Sequence, residues 1–265
     1  MSMIITSRKN ETVRKSRLIL SEKKLRDSEG IFGTEGCKLA EEALKAGFKA
    51  EYAVVAQAAA EKFPETVKLI EKNCKIYYAT PEIYLYISQQ KAPQGIFLAL
   101  KQKSALDKSK ILDKILSGST LLMLDCVQDS GNLGTMIRTA EALGTQGVIL
   151  GDGCADLWSP KTLRSAMGSA FRVNTVSCSL EKAVDRAKDS GFEVYAAMLD
   201  SSALPLGSFK FGEKTAAVIG NEGHGISADV AAKCKKLYIP ITSAESLNAA
   251  AAAAVLCWEM KRKKR

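Results

Sequence analysis

The chain has 265 residues, a formal net charge of +9 and a single histidine, His224. With 46% hydrophobic and 25% charged residues its composition is that of a globular protein, and its length suggests two domains of roughly 100–200 residues. One histidine excludes a zinc site built from several imidazoles and a histidine pair on a helix.

The first hundred residues predict a small α/β domain. A basic helix is expected over 8–19, and a helix over 36–47 that ends at a glycine. Further helices are expected over 60–72 and after Pro81, and the apolar pattern predicts strands at 52–55, 75–79 and 96–100. We therefore place one domain at 1–102 and a polar linker at 103–118.

The remaining residues, 119–265, alternate regularly between strand and helix patterns. Strands are expected at 121–127, 147–150, 171–176, 192–198, 215–220 and 236–240, and a long helix from about residue 246. Such alternation predicts a parallel sheet that is covered by helices on both faces. Ligands bind beyond the carboxyl ends of the strands in sheets of this kind.

Positive charge is concentrated at the two ends of the chain. Residues 1–26 contain eight Lys or Arg against two Glu, and the last five residues are all basic. Clustered cations are typical of a surface that binds a polyanion. The alternative is a solvated helix face and a solubilising tail. The candidate RNA-binding residues are Arg8, Lys9, Arg14, Lys15 and Arg17.

The cysteine pattern and the apolar runs bear on the compartment. Seven cysteines are scattered without a C-x-x-C pair, which indicates reduced thiols. No apolar run reaches the roughly 18–20 residues of a membrane-spanning helix, and no secretory leader is evident. We therefore expect a cytoplasmic protein.

Three polar, glycine-containing segments follow predicted strands. The first is Asn132-Leu-Gly-Thr-Met-Ile-Arg138, at a strand-to-helix turn that a ligand can approach closely. The second is Gly220-Asn-Glu-Gly-His-Gly225, whose spacing matches neither a dinucleotide fingerprint nor a phosphate loop. The third runs from Ile239-Pro240 to Ser246-Leu-Asn248 and an alanine helix, for which Ser246 is a plausible N-cap.

Together these segments resemble the SpoU (TrmH-like) class of SPOUT RNA methyltransferases, over residues of about 119–261. The Ser159-Pro160-Lys161 to Gly168 stretch adds to the match. The part that contains Gly30 to Gly36 resembles, more loosely, an L30e/L7Ae-like substrate-binding domain. The resemblance implies a parallel α/β sheet with a deep trefoil knot, bound S-adenosylmethionine, a homodimer with the active site near the interface, and no metal.

The resemblance also assigns residues by motif position. Gly220, Ile239 and Leu247 would line the cofactor pocket, with Met198 as a weaker candidate. The polar catalytic set would be Asn132, Arg138, Glu222, Ser246 and Asn248. In this set Asn132 would place Arg138, and Glu222 would orient polar partners.

A ribose 2′-hydroxyl must lose its proton as it attacks the methyl group, and in-line positioning supplies much of the acceleration. Because a free Arg has a pKa above about 12, Arg138 is better suited to hold a phosphate and stabilise the developing alkoxide than to act as base.

Several residues have competing interpretations. His224 between two glycines is more typical of an exposed or hydrogen-bonded residue than of a catalyst. The aromatic residues at 77, 78, 84, 86 and 97 could stack on bases, but their spacing favours the core of the small domain.

Three functions are consistent with the motifs. The resemblance favours ribose 2′-O-methylation in 23S ribosomal RNA, because of the appended domain. The alternatives are a tRNA ribose methyltransferase and a non-catalytic RNA-binding assembly factor, and the intact polar set disfavours the latter.

Overall fold

The computed structural model describes residues 4–102, 105–243 and 246–262. The chain divides into two compact units. Unit 1 contains Met1–Ser104 and Trp158–Phe171, and unit 2 contains Ala105–Leu157 and Arg172–Arg265.

The helices are α1 (Glu11–Ser21), α2 (Lys23–Glu29), α3 (Cys37–Lys45), α4 (Gln57–Lys62), α5 (Pro64–Glu71), α6 (Pro81–Ile87), α7 (Ala105–Leu116), α8 (Ser130–Ala142), α9 (Pro160–Ala166), α10 (Ser169–Arg172), α11 (Leu180–Asp189), α12 (Ala228–Ala232) and α13 (Ala249–Arg262). The strands are β1 (Ile31–Glu35), β2 (Ala50–Ala56), β3 (Lys75–Ala79), β4 (Ile96–Lys101), β5 (Thr120–Leu124), β6 (Gly147–Leu150), β7 (Thr175–Ser177), β8 (Glu193–Ala197), β9 (Leu204–Pro205), β10 (Thr215–Ile219) and β11 (Lys235–Tyr238).

Unit 1 is built on a mixed four-stranded sheet in the order β1-β4-β2-β3. Helix α1 packs on this sheet through a buried stripe that includes Val13, Ile19 and Leu20. The side chain of Arg26 is buried and donates hydrogen bonds to the carbonyls of Ile19 (2.7 Å) and Leu20 (3.3 Å), near the end of α1. Arg26 therefore has a structural role, and the basic segment is part of the folded unit.

A second stretch of chain completes the aromatic core of unit 1. The ring of Trp158 stacks on Phe32, with centroids 4.3 Å apart, and Phe171 meets Phe48 edge to face at 5.5 Å. Phe32 is fully buried. Residues 158–171 therefore pack with unit 1, although the predicted division at 1–102, 103–118 and 119–265 placed them in the second domain.

Unit 2 is built on a seven-stranded, fully parallel sheet in the order β7-β6-β5-β10-β8-β11-β9. Helices α8 and α13 pack against each other, and α13 contacts β5 and β10. The buried side of α13 is rich in alanine, which lets helices and strands approach closely. The predicted α/β class with a parallel sheet is confirmed.

Two predicted elements differ from the structure. The predicted linker contains α7, because the spacing of Leu112, Ile115 and Leu116 forms an apolar helix face that joins the core of unit 2. The predicted strand at 171–176 is wrong at its start, where the chain ends α10 before the short strand β7.

No helix among the described residues is long and apolar enough to cross a membrane. Within the same ranges, no group of three or more His, Cys, Asp or Glu could hold a metal ion.

A substitution of Gly147, at the start of β6, tests how tightly α7 packs against that strand. A Cβ atom at this position would lie 2.5 Å from Cγ1 of Ile115, whose side chain is fully buried. We expect Gly147→Ala to lower the free energy of unfolding by about 1–3 kcal/mol, because overpacking forces α7 to shift. Denaturant unfolding measures this change.

Gly223→Ala is the matched control, since a Cβ there would meet nothing closer than 3.5 Å. Equal stability of the two variants would show that α7 does not pack rigidly on β6.

Candidate active site

The site lies where the two central strands of unit 2 end. Strands β5 and β10 run parallel, with Leu124 opposite Ile219, so the segments that follow them leave the sheet side by side. The amide of Asp125 donates to the carbonyl of Ile219 at 2.8 Å. The first and second motifs therefore meet at one edge of the sheet, as the parallel pattern predicted.

The loop over residues 220–225 is closed on itself. The amide of Asn221 donates to the carbonyl of Gly225 at 2.9 Å, and the reverse bond has the same length. A Cβ atom at Gly220 would lie 2.3 Å from the carbonyl of Gly225, so only glycine fits there. This contact explains why a glycine-rich motif is needed after β10.

Asn221 holds this loop against the end of β5. Its Nδ2 donates to the carbonyl of Cys126 at 2.9 Å, and its Oδ1 accepts from the amides of Gly223 (2.8 Å) and His224 (3.1 Å). Cys126 itself has a left-handed backbone, with φ of 54°. Asn221 had no predicted role, although its place inside the glycine motif was a signal.

Asp125 anchors the far side of the loop. Its buried carboxylate accepts hydrogen bonds from the amide (2.8 Å) and the hydroxyl (2.7 Å) of Ser227, which precedes α12. The segment between β10 and α12 is therefore held at both ends.

A line of side-chain hydrogen bonds joins all three motifs. Nδ2 of Asn132 donates to Oε1 of Glu222 at 2.6 Å, and Nδ2 of Asn248 donates to Oδ1 of Asn132 at 3.2 Å. The amide of Asn132 donates to Oδ1 of Asp129 (2.8 Å), which caps α8. The structure thus brings together three of the predicted catalytic residues.

Ser246 and Asn248 have different positions from those expected. Asn248, rather than Ser246, caps α13, since its Oδ1 accepts from the amides of Ala250 (2.9 Å) and Ala251 (3.3 Å). Ser246 lies in an exposed segment that lines the neighbouring cavity. The predicted N-cap at Ser246 is therefore wrong, and Asn248 both caps the helix and bonds to Asn132.

A cavity of about 480 Å³ opens beside this polar line. All four predicted cofactor residues, Met198, Gly220, Ile239 and Leu247, line it. Three residues of the predicted polar set also line it, namely Glu222, Ser246 and Asn248. The remaining lining residues were not predicted: Ala197, Leu199, Ile219, Asn221, Gly225, Tyr238, Ile241, Ala249 and Ala252. The walls are mainly apolar, with polar groups on one side.

Arg138 is not part of this assembly within the chain. It is exposed on α8, and its side chain makes no hydrogen bond or ion pair with any described residue. It lies six positions after Asn132 on the same helix, which puts the two side chains about 120° apart around the axis and about 9 Å apart along it. The predicted contact in which Asn132 places Arg138 does not occur.

The five predicted RNA-binding residues lie at the start of unit 1, before or on α1. Lys15 forms an ion pair with Glu29 at 2.5 Å. Arg8, Lys9, Arg14 and Arg17 are exposed and pair with no carboxylate in the described parts of the chain. The basic residues from 263 onward lie outside the described residues.

Two further predictions concern single residues. His224 is exposed, and its Nδ1 lies 3.3 Å from Oδ1 of Asn221, which agrees with a hydrogen-bonded surface residue. All seven cysteines are free thiols. Burial raises the pKa of Cys154 to about 11, so this thiol near the site stays protonated at neutral pH.

Comparison with known proteins gives matches over both parts of the chain. The SpoU rRNA Methylase family matches residues 119–258, and the MRM3-like substrate binding domain matches residues 10–98. The 23S rRNA (guanosine(2553)-2′-O)-methyltransferase RlmP of Bacillus subtilis is 36% identical over 260 residues, which cover 97% of this chain and 98% of the relative.

A second relative is the 23S rRNA (guanosine-2′-O-)-methyltransferase RlmB of Acinetobacter baylyi, 32% identical over 64% of this chain and 71% of its own length. Among solved structures, the AdoMet-bound rRNA methyltransferase from Sinorhizobium meliloti has a TM-score of 0.85 at 26% identity, with 99% of this chain and 98% of that one covered.

These matches confirm the resemblance seen in the motifs, including the separate substrate-binding domain at the start. The SpoU match alone spans more than half of the chain, and it contains the polar line, the glycine loop and the cavity. The protein therefore belongs to the SpoU rRNA methylase family.

Proposed function

We propose that this protein transfers a methyl group from S-adenosylmethionine to the 2′-hydroxyl of a ribose in 23S ribosomal RNA. The observation that carries the proposal is the hydrogen-bonded line of Glu222, Asn132 and Asn248 at the rim of an apolar cavity. The named activity of the Bacillus subtilis relative, which is similar along nearly the whole chain, supports this choice of RNA.

The cavity fits S-adenosylmethionine in shape and chemistry. Apolar side chains of Met198, Ile239 and Leu247 would hold the adenine and the carbons next to the sulfonium, and the backbone of Gly220 lies in the same wall. When bound, S-adenosylmethionine supplies an activated methyl group on a sulfonium centre. Glu222 and Asn248 line the same cavity, so the polar line would meet the ribose where the methyl group is presented.

Glu222 has one carboxylate oxygen engaged and one available. Oε1 accepts from Asn132, whereas Oε2 has no hydrogen bond to any described residue. Oε2 would accept the hydrogen bond of the ribose 2′-hydroxyl and orient its lone pair for in-line attack. Asn132 holds the carboxylate of Glu222, and Asn248 holds Asn132 in turn. Glu222 is therefore positioned before the substrate binds.

Arg138 would act in the site of a second copy of this chain. It is exposed and points away from the polar line of its own chain, and a guanidinium suits the phosphate next to the target ribose. From there it would stabilise the developing alkoxide. This arrangement makes the homodimer a condition for activity.

The outer side of α13 supports a homodimer. Ala251, Val255 and Trp258 recur at helical spacing on the side opposite the buried residues, and Trp258 is 49% exposed. Tryptophan is enriched in the cores of protein interfaces, so this exposed stripe is a candidate interface. We also propose the trefoil knot that the family resemblance implies, in the unit whose parallel sheet has β10 between β5 and β8.

Unit 1 would hold the RNA through its basic residues. Arg8, Lys9, Arg14 and Arg17 present uncompensated charge on a folded surface, whereas Lys15 is neutralised by Glu29. Binding that depends on such charges weakens steeply as salt is raised. The free thiols fit a reducing compartment, and we place the reaction in the cytoplasm.

Two alternatives remain to be separated from this proposal. A tRNA ribose methyltransferase would use the same site on another RNA, and an assembly factor would bind RNA without turnover. Mapping of 2′-O-methyl positions in total RNA, with and without the protein, separates all three.

Asn132 is the first test of the polar line. We expect Asn132→Asp to reduce methyl transfer at least 100-fold. The substitution keeps the size of the side chain, but it places a second carboxylate beside Oε1 of Glu222, and the two carboxylates repel each other. Incorporation of labelled methyl groups into 23S ribosomal RNA measures the rate. Asn132→Gln, which keeps the amide but lengthens the side chain, serves as the matched control. Activity near wild type in Asn132→Asp would contradict the role of the line.

Arg138 is tested by mixing two inactive variants. Arg138→Ala and Asn132→Ala homodimers should both be inactive while Arg138→Ala still binds S-adenosylmethionine. A heterodimer isolated with two affinity tags should recover about half of the wild-type rate, because one of its two sites then contains an intact Asn132 and the partner's intact arginine. An inactive heterodimer would place Arg138 in the site of its own chain.

Trp258 is tested by introducing a charge into the stripe on α13. We expect Trp258→Glu to convert the dimer into a monomer, because a buried unpaired carboxylate is costly at an interface. Light scattering after size-exclusion chromatography measures the mass. Leu204→Glu, at an apolar residue of similar exposure (47%) on β9, should stay dimeric. A wild-type monomer would refute the homodimer directly.

A further inference from the structure

The half-buried ring of Tyr86 on α6 is flanked by two arginines. The guanidinium carbon of Arg17 lies 4.4 Å from the ring centroid and that of Arg8 lies 5.1 Å from it. Of the aromatic residues weighed between core and base stacking, Tyr84 and Phe97 are fully buried. Tyr86 differs from them, because it lies next to exposed cations.

Arg17 is held in place before any ligand binds. Its Nη1 donates to the carbonyl of Tyr86, which belongs to the last turn of α6 and has no partner within the helix. The guanidinium is thereby fixed at the ring by a hydrogen bond and a cation–π contact. Arg8 precedes α1 and approaches the same ring.

The two arginines carry charge that the protein does not neutralise. Neither forms an ion pair with a carboxylate in the described parts of the chain, although like charges at one ring repel each other. A single phosphate between them would remove this repulsion and accept several hydrogen bonds. The pair therefore concentrates positive charge beside the ring, where it would attract an anion.

A cavity of about 690 Å³ begins at Arg8 and adds groups that suit a nucleotide. Hydroxyls of Thr6, Ser7 and Thr80 line it, together with Lys9, Glu82 and Ile83. Hydrogen bonds from its own amide and from Thr80 lower the pKa of Glu82. Ionised Glu82 would accept from a base amino group or a ribose hydroxyl, and it disfavours a second phosphate there.

We propose that Tyr86, Arg8 and Arg17 form a stacking site for one unpaired base of single-stranded RNA, with its phosphate between the arginines. This inference rests on the proposed function for the identity of the polymer. Bases of a duplex are stacked on each other and unavailable to such a site, whereas unpaired bases stack on aromatic rings and on guanidinium planes. The site would therefore select a single-stranded segment of the substrate.

Binding of labelled oligouridylate, measured by fluorescence anisotropy without S-adenosylmethionine, tests the site. One stacked base contributes about 1–3 kcal/mol, so Tyr86→Leu should weaken binding at least about fivefold. Tyr86→Phe should bind like wild type. An abasic strand of the same length should bind more weakly and should not distinguish Tyr86→Leu from wild type.

Tyr77→Leu is the matched control, because Tyr77 also carries a cation, Lys75 at 4.6 Å from its ring, but no arginine pair. It should leave the affinity unchanged.

Arg8→Gln, at an exposed residue outside α1, should lower the affinity and reduce the slope of log affinity against log salt by about one. Melting temperatures verify that each variant is folded.

Three outcomes would overturn the inference. The first is that folded Tyr86→Leu binds oligouridylate as wild type does. The others are that Tyr86→Leu loses as much affinity for the abasic strand, or for duplex RNA, as it loses for oligouridylate. If Tyr86→Leu does not fold, unchanged affinity of Arg8→Gln overturns it. Because no methyl transfer is involved, failure of the stacking site and failure of the proposed methylation are read from separate experiments.

Discussion

The side-chain amide of Asn132 joins parts of the chain that are about 90 and 116 residues away from it. It donates to Glu222 and accepts from Asn248, and an amide does both at once without a charge, through its separate nitrogen and oxygen atoms. The backbone makes this bridge possible, because parallel pairing of β5 and β10 delivers the two loops to one edge. The cavity, the glycine loop and the start of α13 all depend on that placement.

The two units differ in the charge that they present. Arg8, Lys9, Arg14 and Arg17 of unit 1 have no carboxylate partner among the described residues, whereas the lining of the cavity in unit 2 contains a single carboxylate, Glu222, and no cation. In the proposed function, a polyanion would be attracted by unit 1 and would meet Glu222 in unit 2. The proposed chemistry uses Glu222, two amides and the guanidinium of Arg138, so it requires no histidine.

Much of the fold follows from local patterns, and the exceptions have physical causes. Strands β3 and β6 have the predicted bounds, because short apolar runs between polar breaks define them. The helix α7 was predicted as linker, since its polar composition concealed the spacing of three core residues. The packing of residues 158–171 with unit 1 depends on tertiary contacts that no local pattern contains.

The candidate site was predictable in its membership more than in its geometry. The glycine and asparagine motifs identified the polar line and the cavity walls, because their spacing is shared with a known family. The bridging role of Asn221 depends on backbone carbonyls that a sequence does not display. The separation of Arg138 from Asn132 follows from helical geometry once both residues are known to lie on α8.

The aromatic core of unit 1 has a consequence for synthesis of the protein. Phe32 and Phe48 are covered by Trp158 and Phe171, which the ribosome adds more than a hundred residues later. The amino-terminal unit cannot complete its fold when its own 104 residues emerge, because two of its rings remain open to water. Translation must pass Phe171 first, so the usual order in which the amino-terminal unit finishes folding before the next begins does not hold here.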